Sequence, residues 1–283
     1  MALSFSLPRR AVSLAALVLC LPGAALAEQS VTWITHPMPP AFIAEGPDAG
    51  QGVGDLQLRF LIRHLSRYGH HVQRSSFARI WTQMAQLDGV CAQSVFISPE
   101  RRRVAVFTRR ALREVGYRLY ARTGAVAKFA PYLTPAGEID FARLAQGAPM
   151  QGAYYATRLL PDPIVDPTRA AGAQTVLQSA QSTRQLLQLL DAGRIDFFLA
   201  VGNEVSYVHR DDMTNYVIHN VPAFNDVYIA CSDKPIGRSV IAQIDDLQSR
   251  DDLWAEFVEP MKRWHTAAEV EESLASRPRT ASR

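Results

Sequence analysis

A polar turn, Ser98-Pro99-Glu100-Arg101, directly follows an apolar run from Val90 to Ile97. An arginine offers a planar fork of donors suited to a carboxylate. Arg101 also opens the run Arg101-Arg102-Arg103, which spacing alone reads as a solvated surface. Ser98 suits a turn or helix cap. Asn203 and Glu204 follow a second apolar run, Ile195 to Val201; an acid there also suits the positive end of a helix. Tyr154 and Tyr155 follow Gly152 at an expected helix start, where backbone N–H groups can hold an anion. Core packing is the rival reading for both tyrosines. His36, in a Pro-rich loop, and Glu204 are residue types that move protons, although a loop histidine is more often simply solvated.

Motifs for harder chemistry are missing. The sequence holds no Gly-x-Ser-x-Gly, no P-loop and no Cys-x-x-Cys. Gly50, Gly52 and Gly54 precede a helical pattern without completing a dinucleotide fingerprint. His64, His70, His71, His209, His219 and His265 show no metal-ligand spacing. No cofactor and no metal are therefore expected, and binding ranks ahead of catalysis.

The N-terminus reads as an export signal. Arg9-Arg10 precede an apolar stretch, Ala11 to Leu21, then Pro22-Gly23 and the small-residue site Ala25-Leu26-Ala27. The stretch falls short of the roughly 20 apolar residues of a spanning helix. Residues 1–27 read as a signal peptide removed on export to the periplasm. They carry two arginines and no acid, so 28 basic face 27 acidic residues in the remainder, a formal charge of +1. That balance, without aromatic patterning around the short arginine runs, excludes a nucleic-acid module. Cys20 leaves with the signal. Cys91 and Cys231 remain, in a compartment that permits a disulfide; a bridge and two separate buried thiols both stay open.

Two strand–helix–strand units are legible. In the first, Val31–Thr35 is a buried strand, followed by a long Pro- and Gly-rich loop. Asp55 caps a helix with Leu58, Leu61, Ile62 and Leu65 on one face. His71 to Phe77 reads as a strand, and Ile80, Met84 and Leu87 as the stripe of a second helix. In the second unit, Thr175–Leu177 leads to a helix capped by Ser182, then the apolar run Ile195–Val201. Met84-Ala-Gln-Leu-Asp-Gly89 and Leu187-Gln-Leu-Leu-Asp-Ala-Gly193 hold equivalent places, which argues for two α/β lobes with parallel sheets. Extended segments at Gly116–Arg122 and Asp226–Cys231 suggest that the chain crosses between lobes twice. Beyond Trp264 the chain turns polar, and Arg277 to Arg283 reads as a disordered tail.

Taken in order, several of these segments resemble the type 2 periplasmic solute-binding proteins, in particular the amino-acid-binding class (family 3) of bacterial ABC importers. They are Met38-Pro-Pro-Ala-Phe42, Gly50-Gln-Gly-Val-Gly-Asp-Leu56, Ile97-Ser-Pro-Glu-Arg-Arg-Arg-Val-Ala-Val-Phe-Thr108 and Gly193-Arg-Ile-Asp196. The likeness spans residues 31–264, with Ser-Pro-Glu-Arg its most specific piece. It implies an α/β clamshell of two lobes, each a mostly parallel sheet flanked by helices, closing by a hinge on a small ligand. The implied boundaries are 28–115 with 226–265 for lobe 1, 116–225 for lobe 2, and a polar tail over 266–283. The resemblance also implies that Arg101 takes a ligand carboxylate, that Ser98 helps hold the ligand and that Phe42 packs on it. Glu204, with Asn203 beside it, is the nearer match to an acid for the ligand's amino group. Tyr154 is the second lobe's candidate. An inner-membrane ABC permease or a sensor is the implied partner, and a monomer the implied state.

The sequence departs from the family at Phe96, where a hydroxyl residue is usual, and at Cys91, where an aspartate is common. Both changes remove polar groups, which puts a standard amino-acid ligand in question. Two other readings follow: a cyclohexadienyl-type dehydratase on the same fold, and a sensor or interaction domain with a degenerate cleft.

Overall fold

The computed structural model describes residues 29–156, 160–208 and 211–278. The signal-peptide reading of residues 1–27 lies outside them. The chain first builds β1 (Ser30–Thr35), α1 (Val53–His64), β2 (Gly69–Arg74), α2 (Phe77–Gln86), β3 (Val90–Val95), α3 (Pro99–Arg102), β4 (Ala105–Phe107) and β5 (Leu112–Val115). It crosses at Gly116 to β6 (Tyr117–Arg122), α4 (Phe141–Gln146), β7 (Met150–Tyr155), α5 (Asp162–Arg169), β8 (Thr175–Ala180), α6 (Thr183–Asp191), β9 (Phe197–Val201), α7 (Gly202–Ser206) and β10 (Met213–Val217). It then returns as β11 (Phe224–Ser232), α8 (Pro235–Ser249), α9 (Asp251–Val258) and α10 (Ala267–Ala275).

Two sheets result. One runs β2-β1-β3-β11-β4, with β5 on the hinge end of β11; the other runs β10-β6-β9-β7-β8. The ladders β1–β2, β1–β3, β7–β8 and β7–β9 are parallel, and the crossing strands β6 and β11 run antiparallel to their neighbours. β9 is covered on both faces, and its run is apolar throughout. In β9, Phe197, Leu199 and Val201 enter one core and Phe198 and Ala200 the other, the two-residue alternation of a pleated strand.

Strand direction locates the cleft. β11 starts at the hinge and runs away from it, and β3 is antiparallel to it, so β1, β2 and β3 aim their carboxyl ends at the second lobe. β6 also runs away from the hinge, and β9 opposes it, so β7, β8 and β9 aim theirs at the first. Ligands of open α/β sheets bind outside such carboxyl ends. The two crossings touch backbone to backbone, with the Gly116 N–H donating to the Ala223 carbonyl at 2.8 Å. A Cβ at Gly116 would meet the Pro222 carbonyl oxygen at 2.0 Å, so no other residue fits.

Several segments differ from the sequence reading. Helix α1 starts two residues before Asp55, and Asp55 caps it from the third position, its Oδ2 accepting the Gly52 N–H at 3.1 Å. Strand β2 ends at Arg74 because Phe77 already begins α2. The reading of 266–283 as a polar tail needs correcting. Ala267–Ala275 is a helix whose buried face includes Glu269, Val270 and Ser273, docked on β5. Its polar side chains are buried because they bind backbone: the Arg113 N–H donates to Ser273 Oγ and the Val115 N–H to Glu269 Oε1, both at 2.8 Å. Residues 279–283 lie outside the described chain. Cys91 and Cys231 face each other across β3 and β11, fully buried, and are joined as a disulfide. Among the described residues no helix is long and apolar enough to cross a membrane.

Candidate functional site: a stacked arginine at the strand ends

Helix α2 forms because Ile80 and Met84, a turn apart, bury themselves against the sheet. That choice fixes the neighbouring stripe. Phe77 and Trp81, also a turn apart, lie half-buried and pack edge to face, with ring centroids 6.1 Å apart. His36, at the end of β1, meets the Phe77 ring edge-on at 5.0 Å, and Phe107 of β4 lies 6.5 Å from Trp81.

Arg101 lies on these rings. Its Cζ is 4.5 Å from the Trp81 centroid and 5.1 Å from that of Phe77. Its Nη1 donates to the Phe96 carbonyl at 2.7 Å. Ser98 sets this direction: its Oγ accepts the Arg101 N–H at 3.3 Å and donates to Glu100 Oε2 at 2.8 Å, capping α3. The hydroxyl is thus committed to the turn that carries Arg101. Burial pushes the Arg101 pKa down and the Glu100 charge opposes it; an arginine stays cationic under such a shift. Among the described residues no carboxylate lies within salt-bridge distance of Arg101. Arg102 and Arg103 are exposed.

Two further donors sit at the same strand ends. The Trp81 indole Nε1–H is buried without a hydrogen-bond partner, and so is the Ser75 hydroxyl just beyond β2. An unpaired buried donor costs about 1–3 kcal/mol, so both mark a place where an acceptor is favourable. Sequence reasoning missed Ser75, Phe77 and Trp81. The available signal was an aromatic pair at i, i+4 directly after a strand.

The other expected residues fall elsewhere. Phe42 is 4% exposed and lies on Gly54, where a Cβ would come within 2.6 Å of its ring. It fixes the Pro-rich loop, whose Pro40 and Ala41 carbonyls accept the Val53 and Gly54 N–H groups of α1 at 3.0 and 2.7 Å. The expected helix start at Tyr154 is corrected: Tyr154 is a half-buried strand residue, paired with Ser179 and Leu199 and packed on the core. The chain is still extended there because β7 is flanked on both sides by parallel partners. Asn203 lies in α7, and its side chain is outside the described set. Glu204, 3% exposed, lies in α7 just past the carboxyl end of β9, beside the hinge. Burial pushes the nearby Tyr120 hydroxyl up to about 12; Arg118 opposes this, while Glu204 and Glu269 add to it.

Beside these residues lies a groove of about 600 Å³, walled by Val115 and Phe224 of the hinge strands, Arg118 and Tyr120 of β6, Gly202 and Val205 of α7 and Thr266, which caps α10, among others. Among the described residues no group of three or more His, Cys, Asp or Glu residues could hold a metal.

Comparison with solved structures gives the architecture a name. The GluR0 ligand-binding core bound to L-glutamate superposes with a TM-score of 0.61 at 14% identity, over 85% of this chain and all of that one. The fold is that of the two-lobed periplasmic binding proteins. A Salmonella typhimurium periplasmic binding protein with high arginine specificity matches at TM-score 0.60 and 12% identity, over 84% of this chain and 100% of that one. A histidine kinase sensor domain similar to periplasmic binding proteins matches at 0.61 and 14%, over 83% and 95%. No protein-family profile matches the sequence, and no curated protein matches it. At these identities the likeness speaks for the fold and leaves the ligand to the site.

Proposed function

We propose that this protein is an extracytoplasmic solute-binding protein with no chemistry of its own, capturing a small carboxylate-bearing, amino-acid-like ligand between its lobes for an ABC permease or a sensor. One observation carries the reading. Arg101 is half-buried, stacked on Trp81 and Phe77 and held by one carbonyl, and among the described residues no carboxylate lies within salt-bridge distance of it. A guanidinium so oriented is ready for a planar anion. The unpaired Trp81 N–H and Ser75 hydroxyl supply neutral donors near the same strand ends. Ser98 acts by shaping the turn, and Phe42 by fixing the loop opposite. The fold supports closure by a hinge at Gly116 and Pro222–Phe224.

A thermal-melt screen tests the reading, using protein unfolded and refolded to strip carried-over ligand. A panel of amino acids, aromatic acids, amines, short peptides and sugars should yield a carboxylate hit. At 100 times its dissociation constant a ligand adds about 2.7 kcal/mol. A hit that Arg101→Ala leaves intact would remove Arg101 from the site; hits confined to sugars or amines would remove the carboxylate class.

A further inference from the structure

We propose that the groove beside the hinge is a second small-molecule site, separate from the strand-end cleft, which takes a compact zwitterion with an apolar body. Its volume of about 600 Å³ lies within the usual range for small-ligand sites. Its walls are of two kinds. Val115, Val205, Met213 and Phe224 present apolar surface, and Arg118, Asp211 and Asn215 present polar groups. Arg118 is the centre of the argument. Among the described residues its Nη1 is buried without a hydrogen-bond partner, and no carboxylate lies within salt-bridge distance of it. Arg118 lines the groove, so a ligand carboxylate seated there meets an arginine whose donors are not all taken by the fold.

The surrounding charges select among anions. Glu204 and Glu269 both act on Tyr120, next to Arg118, and Asp211 stands on the groove wall. Glu269 is already committed, accepting from the Val115 N–H at 2.8 Å and from the Thr266 N–H and hydroxyl at 2.8 and 2.9 Å. A plain anion would meet these carboxylates and be repelled. A zwitterion meets Arg118 with its carboxylate and Asp211 with its ammonium, and so avoids the penalty. The burial that keeps the Tyr120 hydroxyl protonated leaves it a neutral wall of the same groove. This site does not depend on the role assigned to Arg101.

Titration calorimetry on the full chain tests it, with L-leucine and L-phenylalanine as zwitterions, N-acetyl-leucine as the anion and leucinamide as the cation. Saturable zwitterion binding should persist in Arg101→Ala and weaken at least tenfold in Arg118→Ala. It should weaken as much in Ala268→Trp, which fills the groove from an exposed position on α10 and stands in should Arg118→Ala fold poorly. N-acetyl-leucine and leucinamide should each bind at least tenfold more weakly. The proposal is overturned if Arg118→Ala and Ala268→Trp bind as tightly as the parent, if Arg101→Ala alone abolishes all binding, or if neither zwitterion binds saturably.

Discussion

Arg110 and Arg101 each sit over a tryptophan ring, and their surroundings differ. The Arg110 Cζ is 4.3 Å from the Trp254 centroid, and its side chain is 3% exposed. Its Nη1 donates to the Gln248 carbonyl at 2.7 Å and approaches Asp251 at 3.6 Å; its Nη2 donates to the Leu274 carbonyl at 3.3 Å. It thus ties the end of α8 to α9 and α10. Arg101 also sits over a tryptophan, Trp81, but has a single carbonyl and, among the described residues, no carboxylate within salt-bridge distance. Burial lowers the pKa of both, while Asp251 and Glu100 respectively oppose the shift. The stack is common to both and only orients the guanidinium. The remaining partners distinguish them: both terminal nitrogens of Arg110 are engaged, although its buried Nε has no partner among the described residues, whereas Arg101 engages one.

Substitutions should separate the pair, with the largest effect at the tryptophans. Trp254 is 1% exposed in the core, so Trp254→Ala should destabilise by about 3–5 kcal/mol, seen as a lower denaturation midpoint. Trp81, at the half-buried rim, should cost well under half of that. Equal losses would break the distinction between the two stacks.

Arg101→Ala should cost about 2–5 kcal/mol of affinity for a carboxylate ligand and lower the melt of the ligand-free protein less than Arg110→Ala does, since it removes one hydrogen bond rather than two. Glu100 offsets only part of the desolvation of that charge, and the fold loses one carbonyl hydrogen bond and a half-buried ring stack with it. Arg110→Ala should do the reverse. Two hydrogen bonds from a charged group and a ring contact disappear, so stability should fall by about 2–3 kcal/mol, while affinity per folded molecule holds in equilibrium dialysis.

The fold was legible where burial is apolar. The run Ile195–Val201 and the stripe Leu58, Leu61, Ile62 and Leu65 show the periods of a strand and a helix, and β9 and α1 lie there. Helix α10 was not legible, because its buried face uses Glu269 and Ser273 on backbone partners, which no hydrophobic pattern records. The bond between Cys91 and Cys231 depends on the register of two strands 140 residues apart. Within the site, the turn carrying Arg101 was visible. The rings beneath it were not, because Phe77 and Trp81 lie beside the Ile80–Met84 core stripe rather than in it. Ser98 shows why a motif underdetermines a role: the same hydroxyl position serves a cap or a ligand, and here both bonds of the hydroxyl stay within the turn.

The finest test concerns what the ring under Arg101 contributes. Trp81→Phe keeps an aromatic face for the guanidinium and removes the indole N–H, which has no partner among the described residues. Losing an unsatisfied donor should leave stability unchanged or slightly higher. If that N–H also reaches the ligand, affinity should fall by about 1 kcal/mol, the size of one neutral hydrogen bond. Trp81→Leu removes the cation–π stack as well, which is worth about 0.5–2 kcal/mol, and should weaken binding further by releasing Arg101 from its orientation. Unchanged affinity in Trp81→Phe with a loss in Trp81→Leu would assign the ring to positioning Arg101 alone. Unchanged affinity in both would mean that the Phe96 carbonyl and the Ser98 cap suffice to aim the guanidinium, and the parallel with Trp254 would then be one of packing only.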